Sequence, residues 1–222
     1  MQTTYISHSG FLVETNTCYF IFDYYKGSLP TLNPQKPILV FASHGHGDHY
    51  NPIIFDLLQA GGMVSVTAVL SYDIPKEKYP ENILCITVTS HQIYSLPFDI
   101  TLETLKSTDE GVAFVIKCEE GTIYHAGDLN DWVWEEESPA YNEEMTKNYR
   151  KEIDLLKDFA IDVAFIPLDP RQEKDYARGI LYFLENMNVK QVYPMHYWEQ
   201  PEIMDQFLKE YPEFRDIVIK TE

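Results

Sequence analysis

Three histidines and an aspartate fall together in the run His44-Gly45-His46-Gly47-Asp48-His49. Imidazole and carboxylate are ligands for borderline divalent ions such as zinc. His44 and His46 are two apart, so in extended backbone they face one side and can chelate one ion. The turn that follows can bring Asp48 and His49 round to a second. Gly45 and Gly47 are expected to keep side chains clear of the metals and to permit unusual backbone angles. Two single donors lie downstream: Asp128 in Tyr124-His125-Ala126-Gly127-Asp128, and His196 in Pro194-Met195-His196-Tyr197-Trp198. Each ends a strand-like run, and each alone reads as a turn carboxylate or a packed histidine. Beside the first cluster both become candidate ligands, with Asp128 able to bridge two ions. A metal held this way lowers the pKa of a bound water and supplies hydroxide at neutral pH. Asp48 would bind metal and orient that nucleophile or accept its proton, and Tyr197 or His8 could assist proton transfer.

The elements that must position these residues are short. Thr4–Ile6, Phe11–Glu14 and Tyr19–Phe22 are β-rich runs. Ile38–Phe41 is continuously apolar, as expected of a strand buried on both faces, and it feeds the histidine cluster directly. Pro52–Leu58 has helical apolar spacing and stops at Gly61-Gly62. Strand-like runs follow at Met63–Leu70, Ile83–Val88, Asp99–Leu105, Val112–Cys118 and Thr122–His125, the last two joined as a hairpin. Tyr141–Ala160 is helical in pattern, Asp162–Pro167 a strand, Lys174–Asn186 a helix, Gln191–Tyr193 a strand, Pro201–Tyr211 a helix and Asp216–Ile219 a final short strand. No linker, repeat or low-complexity segment interrupts residues 1–222, which read as one α/β domain with two sheets and outer helices.

Composition narrows the partners. The chain has 222 residues with 17 Lys+Arg against 35 Asp+Glu, a formal charge of −18. Such acidity repels phosphate backbones and anionic lipid, so nucleic acid and membrane surfaces are poor partners and a small molecule is the expected substrate. Three separated cysteines make no disulfide framework. No signal peptide is visible and no apolar run approaches a membrane span, which leads to the expectation of a cytoplasmic protein. No GxSxG, P-loop or GxGxxG run supports serine-hydrolase, nucleotidyl or dinucleotide chemistry. The oligomeric state is not legible.

HGHGDH resembles the HxHxDH signature of the metallo-β-lactamase superfamily, with Asp128 and His196 in the expected order. Asp23, after Tyr19–Phe22, resembles the superfamily's early aspartate, which supports the ligands from behind. Ile6-Ser7-His8-Ser9-Gly10-Phe11 resembles the ascorbate-6-phosphate lactonase-like branch. The resemblance covers roughly residues 4–198. It implies a four-layer αββα sandwich of two mixed sheets with outer helices, one or two divalent ions, and mostly hydrolytic chemistry. Zinc is the first expectation, with manganese or iron as alternatives. The implied function is hydrolysis of a small-molecule ester, lactone or phosphoester.

One ligand of the family pattern is missing: the third histidine of the first metal. Its place falls near Lys106–Glu110, where Asp109 offers an oxygen instead, and His8 is another candidate to fill the gap. His125 reads as structural. The missing ligand supports a different reading, a metal- or ligand-binding module that kept the fold and lost turnover. Arg171, in Leu168-Asp169-Pro170-Arg171 at a strand exit, can clamp an anionic substrate or pair with Asp169 in a turn. Trp132, Trp134 and Tyr141 can wall the site.

Overall fold

The structure, a computed structural model, describes residues 1–221. One sheet holds β1 (Gln2–Ser7), β2 (Gly10–Glu14), β3 (Tyr19–Phe22), β4 (Ile38–Ala42), β5 (Val66–Ser71) and β6 (Leu84–Val88), paired in chain order. It is antiparallel from β1 to β3 and parallel from β3 to β6. The other holds β7 (Ile93–Leu96), β8 (Ile100–Lys106), β9 (Val112–Cys118), β10 (Gly121–His125), β11 (Ala160–Pro167) and β12 (Asn188–Met195), also in order. It is antiparallel from β7 to β10, then parallel through β11 and β12. The helices are α1 (Ile53–Ala60), α2 (Pro139–Ile153), α3 (Arg178–Asn186) and α4 (Glu202–Glu210).

Alternation along the strands sets the layers. Phe20, Phe22, Leu39, Phe41 and Val69 join the core shared with Leu102, Phe114 and Ile123 of the second sheet. Their neighbours Ile21, Ile38, Val40, Ala68 and Leu70 pack on Ile54, Phe55 and Leu58 of α1. Strands covered on both faces are continuously apolar, which is why Ile38–Ala42 shows no alternation in its composition. Tyr149 and Ile153 of α2, Ile180 and Phe183 of α3, and Phe207 of α4 cover the second sheet. The order of layers is therefore α1, first sheet, second sheet, then α2–α4. Ser138 caps α2 by accepting the Tyr141 N–H at 3.2 Å, with Pro139 in the first turn.

The structure departs from the sequence pattern at the edges. The strand β7 carried no signal: it is four residues long and its Ile93 is 70% exposed, so burial does not shape its composition. Asp216–Ile219 forms no strand; Val218 makes a single bridge to Val192. Met63–Val64-Ser65 stay outside β5. The helix expected from Lys174 starts at Arg178, because Pro170–Asp175 is a 3-10 segment broken at Glu173, whose φ is 50°.

The parallel strands deliver the site. Asp23 follows β3, His44 follows β4, Asp128 follows β10, Asp169 follows β11 and His196 follows β12. All lie past carboxyl ends of strands, where the ends of both sheets meet, and the turn between β1 and β2 adds His8.

Candidate metal centre

The structure brings the sequence-derived candidates into two adjoining groups. His8, Asp48, His49 and His196 form one; His44, His46 and Asp128 form the other, and within each group the donor atoms lie within 4.8 Å of one another. Asp128 joins them. Its Oδ2 lies 3.5 Å from His44 Nε2, while its Oδ1 lies 3.2 Å from His49 Nε2 and 3.4 Å from His196 Nε2. His8 Nε2 lies 3.4 Å from Asp48 Oδ2.

The imidazoles are oriented from behind. The buried Asp23 carboxylate accepts the Ser43 N–H and the Ser43 hydroxyl, both at 2.7 Å, and His49 Nδ1–H at 2.8 Å. Since the Ser43 hydroxyl is spent on Asp23, its oxygen must accept from His44 Nδ1–H, 2.9 Å away. The Asp169 carboxylate accepts His196 Nδ1–H at 2.9 Å. Protonation at Nδ1 leaves the Nε2 lone pairs of His44, His49 and His196 facing inward. His46 is turned the other way: Nε2 lies 3.4 Å from Glu110, and Nδ1 lies 3.0 Å from His44 Nε2. With His44 protonated at Nδ1, its Nε2 accepts this hydrogen bond from His46 Nδ1–H. His49 Nε2 faces an anionic oxygen of Asp128, a contact that needs a cation, a proton or a metal ion, between the two atoms.

His8 Nε2, His49 Nε2 and Asp128 Oδ1 are buried with no hydrogen-bond partner, which native structures rarely tolerate without an explanation. Electrostatics reflect the same crowding. Burial pushes His44 down to about 4, aided by His49. Burial also opposes charging His49, but Asp128, Asp23 and Asp48 outweigh it and lift its pKa to about 9. Burial raises Asp23 and Asp169, yet each is held at about 2, Asp23 by His125 and His49, Asp169 by His196 and Arg171. The residues present thus fit a divalent ion in each group.

Several expectations need correction. His8 does not stand with His44 and His46, where the missing ligand belongs; it is a donor of the other group, held by the β1–β2 turn at φ 55°. Asp109 lines the cavity beside Asp128 and His196 but is in neither donor group. Arg171 is engaged with Asp169, its Nε 3.0 Å from both carboxylate oxygens, and its guanidinium lies 4.7 Å from the Trp198 ring. The turn reading of Asp169-Pro170-Arg171 therefore describes its contacts. Tyr197 cannot serve proton transfer at the donors, because its buried hydroxyl is taken by Thr221 Oγ1 at 2.6 Å. Gly45 and Gly47 do not adopt the unusual backbone angles expected of them, since neither has positive φ. A Cβ on Gly47 would meet nothing, whereas one on Gly111 (φ 71°) would lie 1.9 Å from Ser43 O. Gly111 lets the β9 end press against the backbone that carries His44.

His125 is structural: its Nε2–H donates to Ser9 O at 2.9 Å and its Nδ1 accepts the Gly127 N–H. The sequence did not single out Ser43 or Asp169 as orienting partners. Ser43 adjoins the cluster and Asp169 ends an apolar strand, but their partners lie 20 or more residues away. Trp132, Trp134 and Tyr141 line a cavity of about 260 Å³ with Asp128, Arg171 and His196. The two indoles are parallel, 5.9 Å apart.

Comparison with known proteins matches this architecture. Metal-dependent hydrolases of Pyrobaculum islandicum and Desulforamulus reducens are 24% and 25% identical, each alignment covering 89% of this chain and 84% of the relative. A metallo hydrolase of Ignicoccus hospitalis superposes with a TM-score of 0.68 at 17% identity, covering 99% of this chain and 94% of that one. A diiron β-hydroxylase of Streptomyces venezuelae shares the fold at a TM-score of 0.61 and 12% identity, over 97% of this chain and 52% of its own. Residues 2–142, more than half of the chain, match the beta-lactamase superfamily domain. With the HGHGDH run after β4 and the paired mixed sheets, that match places the chain in the metallo-β-lactamase superfamily.

Proposed function

We propose that the chain is a metal-dependent hydrolase acting on an ester, lactone or phosphoester of a small molecule. The observation that carries this is the convergence of seven ligand-type side chains into two donor groups joined by Asp128, with the buried His8 Nε2, His49 Nε2 and Asp128 Oδ1 lacking any hydrogen-bond partner. His8, Asp48, His49 and His196 would hold one ion, His44 and His46 the other, with Asp128 bridging. Zinc suits this imidazole-rich set; manganese or iron suits the oxygen-richer alternative in which Asp109 swings in. A divalent ion in these groups lowers the pKa of water toward neutrality and polarises the attacked carbonyl or phosphoryl oxygen. Asp48, half-buried at the rim, would orient the water or take its proton. Trp132, Trp134 and Tyr141 would exclude bulk water from the small cavity over Asp128. The lactonase-like reading rests on His8 in the Ser7-His8-Ser9 turn. The acidic surface argues for a free small molecule and against nucleic acid.

The test is elemental analysis of protein purified without chelator, with turnover of a panel of esters, lactones and phosphodiesters. The expected result is bound zinc, manganese or iron, and cleavage of at least one class that chelation abolishes and metal restores. Metal retained without turnover would favour a binding module with a degenerate site. Absence of any bound divalent ion would overturn both readings. Among the described residues no helix is long and apolar enough to cross a membrane, and a cytoplasmic enzyme remains part of the proposal.

A further inference from the structure

Arg171 spends its Nε and one Nη on Asp169, and further cationic side chains lie beyond it. Beyond Thr108 and Asp109 lies a second cavity of about 480 Å³. It shares Thr108, Asp109 and Met145 with the cavity over Asp128 and His196, so the two adjoin across one sill of the β8–β9 loop. Lys106, at the end of β8, and Lys151 and Asn148, on α2, line it from two elements.

The charges there are arranged for an incoming anion. Among the described residues neither lysine has a carboxylate within 4.0 Å, so both ammonium groups are free to meet an anion in the cavity. Glu152 also borders the cavity, but it is buried and occupied: Oε2 accepts from His91 Nε2–H at 2.8 Å and from the Lys106 N–H at 3.1 Å. Asp109, the remaining acid of this lining, also borders the cavity over Asp128. What sets Lys106 and Lys151 apart is their convergence, from a strand end and a helix, on one cavity that adjoins the donor groups in a chain of net charge −18.

We propose that this second cavity is a substrate subsite for a terminal anion, a carboxylate or phosphate, held by Lys106 and Lys151 with Asn148 donating. Resting on the hydrolase reading above, it defines the substrate class: a small molecule whose scissile group lies over Asp128 while its anionic end reaches past Thr108 and Asp109.

Two arms test it on the full chain. First, calorimetric titration of chelator-treated protein with glutarate and with inorganic phosphate asks for anion binding without metal or turnover. Wild type should bind one or both, and the double variant Lys106→Gln, Lys151→Gln should bind roughly 10-fold or more weakly. Lys147→Gln, which removes a charge from the same helix outside the cavity, should bind like wild type. The preferred anion distinguishes a carboxylate end from a phosphate end. No binding by wild type, or equal binding by the double variant, overturns the subsite. Second, metal-loaded protein is given 4-nitrophenyl acetate and the mono-4-nitrophenyl ester of glutarate. The ratio of KM for the anionic ester to KM for the neutral one should rise about 10-fold in the double variant. An unchanged ratio overturns the proposed substrate class. Anion binding with neither ester cleaved leaves the subsite standing and counts against the hydrolase reading.

Discussion

The two donor groups share Asp128 and little else. The group around His49 is closed: His8, His49 and His196 are buried, two of them are oriented by buried carboxylates, and all come from strand exits or a tight turn. The group around His44 is open: the His46 side chain is 48% exposed and its outer partner, Glu110, is 56% exposed. The closed group can also draw on Asp128 Oδ1, while the open one has two histidines and Asp128 Oδ2. Rigid, dehydrated donors lose little entropy when they close on an ion, whereas an exposed imidazole must be ordered first. One ion should therefore be retained and the other exchangeable, so metal content after dialysis should be nearer one equivalent than two.

The largest expected effect comes from removing what the groups have in common. Asp128→Ala should empty both, costing more than the roughly 10–100-fold in metal affinity typical of losing an outer partner, and should abolish turnover. Elemental analysis with kinetics checks it; retention of one full equivalent would show that the groups are independent. Next is Asp169→Asn, which removes the anionic partner of His196. It should weaken the closed group roughly 10–100-fold and spare the open one, as measured by metal competition with a chromophoric chelator. The same substitution has a pH signature in chelator-treated protein. Asp169 is held at about 2 in the fold, below the ordinary 3.8, because His196 and Arg171 outweigh the burial that raises it. Its contribution to stability is therefore present above pH about 3.8 and lost as pH falls toward 2. Asp169→Asn should flatten the acid limb of the stability curve in that window, read by denaturant unfolding.

The contrast also explains which donors the sequence discloses. HGHGDH lies in one short run, so four of the donors were visible as a local pattern. The continuous apolar run Ile38–Phe41 before it disclosed a strand buried on both faces, and the succession of strands followed by alternating helix and strand disclosed two sheets with outer helices. His196 and Asp128 were legible because each ends such a run. The assignment of His8 was not, since its group depends on how the β1–β2 turn packs against β12, where His196 N–H meets His8 O. Arg171 was ambiguous for a similar reason: a guanidinium two residues from an aspartate can serve substrate or neighbour, and only Trp134, Trp198 and Asp169 in space decide its contacts. Edge features such as β7 leave almost no trace because one face is solvent.

A smaller effect is expected from Asp109→His, which supplies the open group with the imidazole that the family pattern places there. Asp109 already faces the cavity, and burial together with Asp128 raises its pKa, so a neutral imidazole also relieves carboxylate repulsion. Zinc content should rise from about one toward two equivalents, with Asp109→Ala lowering only the exchangeable ion. No change in either variant would mean that the loop does not reach the metal.

The smallest effect should come from Glu110→Gln. Glu110 orients His46 only through an exposed pair 3.4 Å apart, and such solvent-screened pairs contribute about 0–1 kcal/mol. That corresponds to roughly fivefold at most in the affinity of the open group, against the much larger loss at the closed group in Asp169→Asn. The loss should shrink further at high salt, because the pair is exposed, while the Asp169→Asn defect should persist. Metal competition at low and at 0.5 M salt measures both. If Glu110→Gln and Asp169→Asn weakened metal binding equally, burial of the outer partner would not be what separates the two groups, and the asymmetry would have to come from donor number alone.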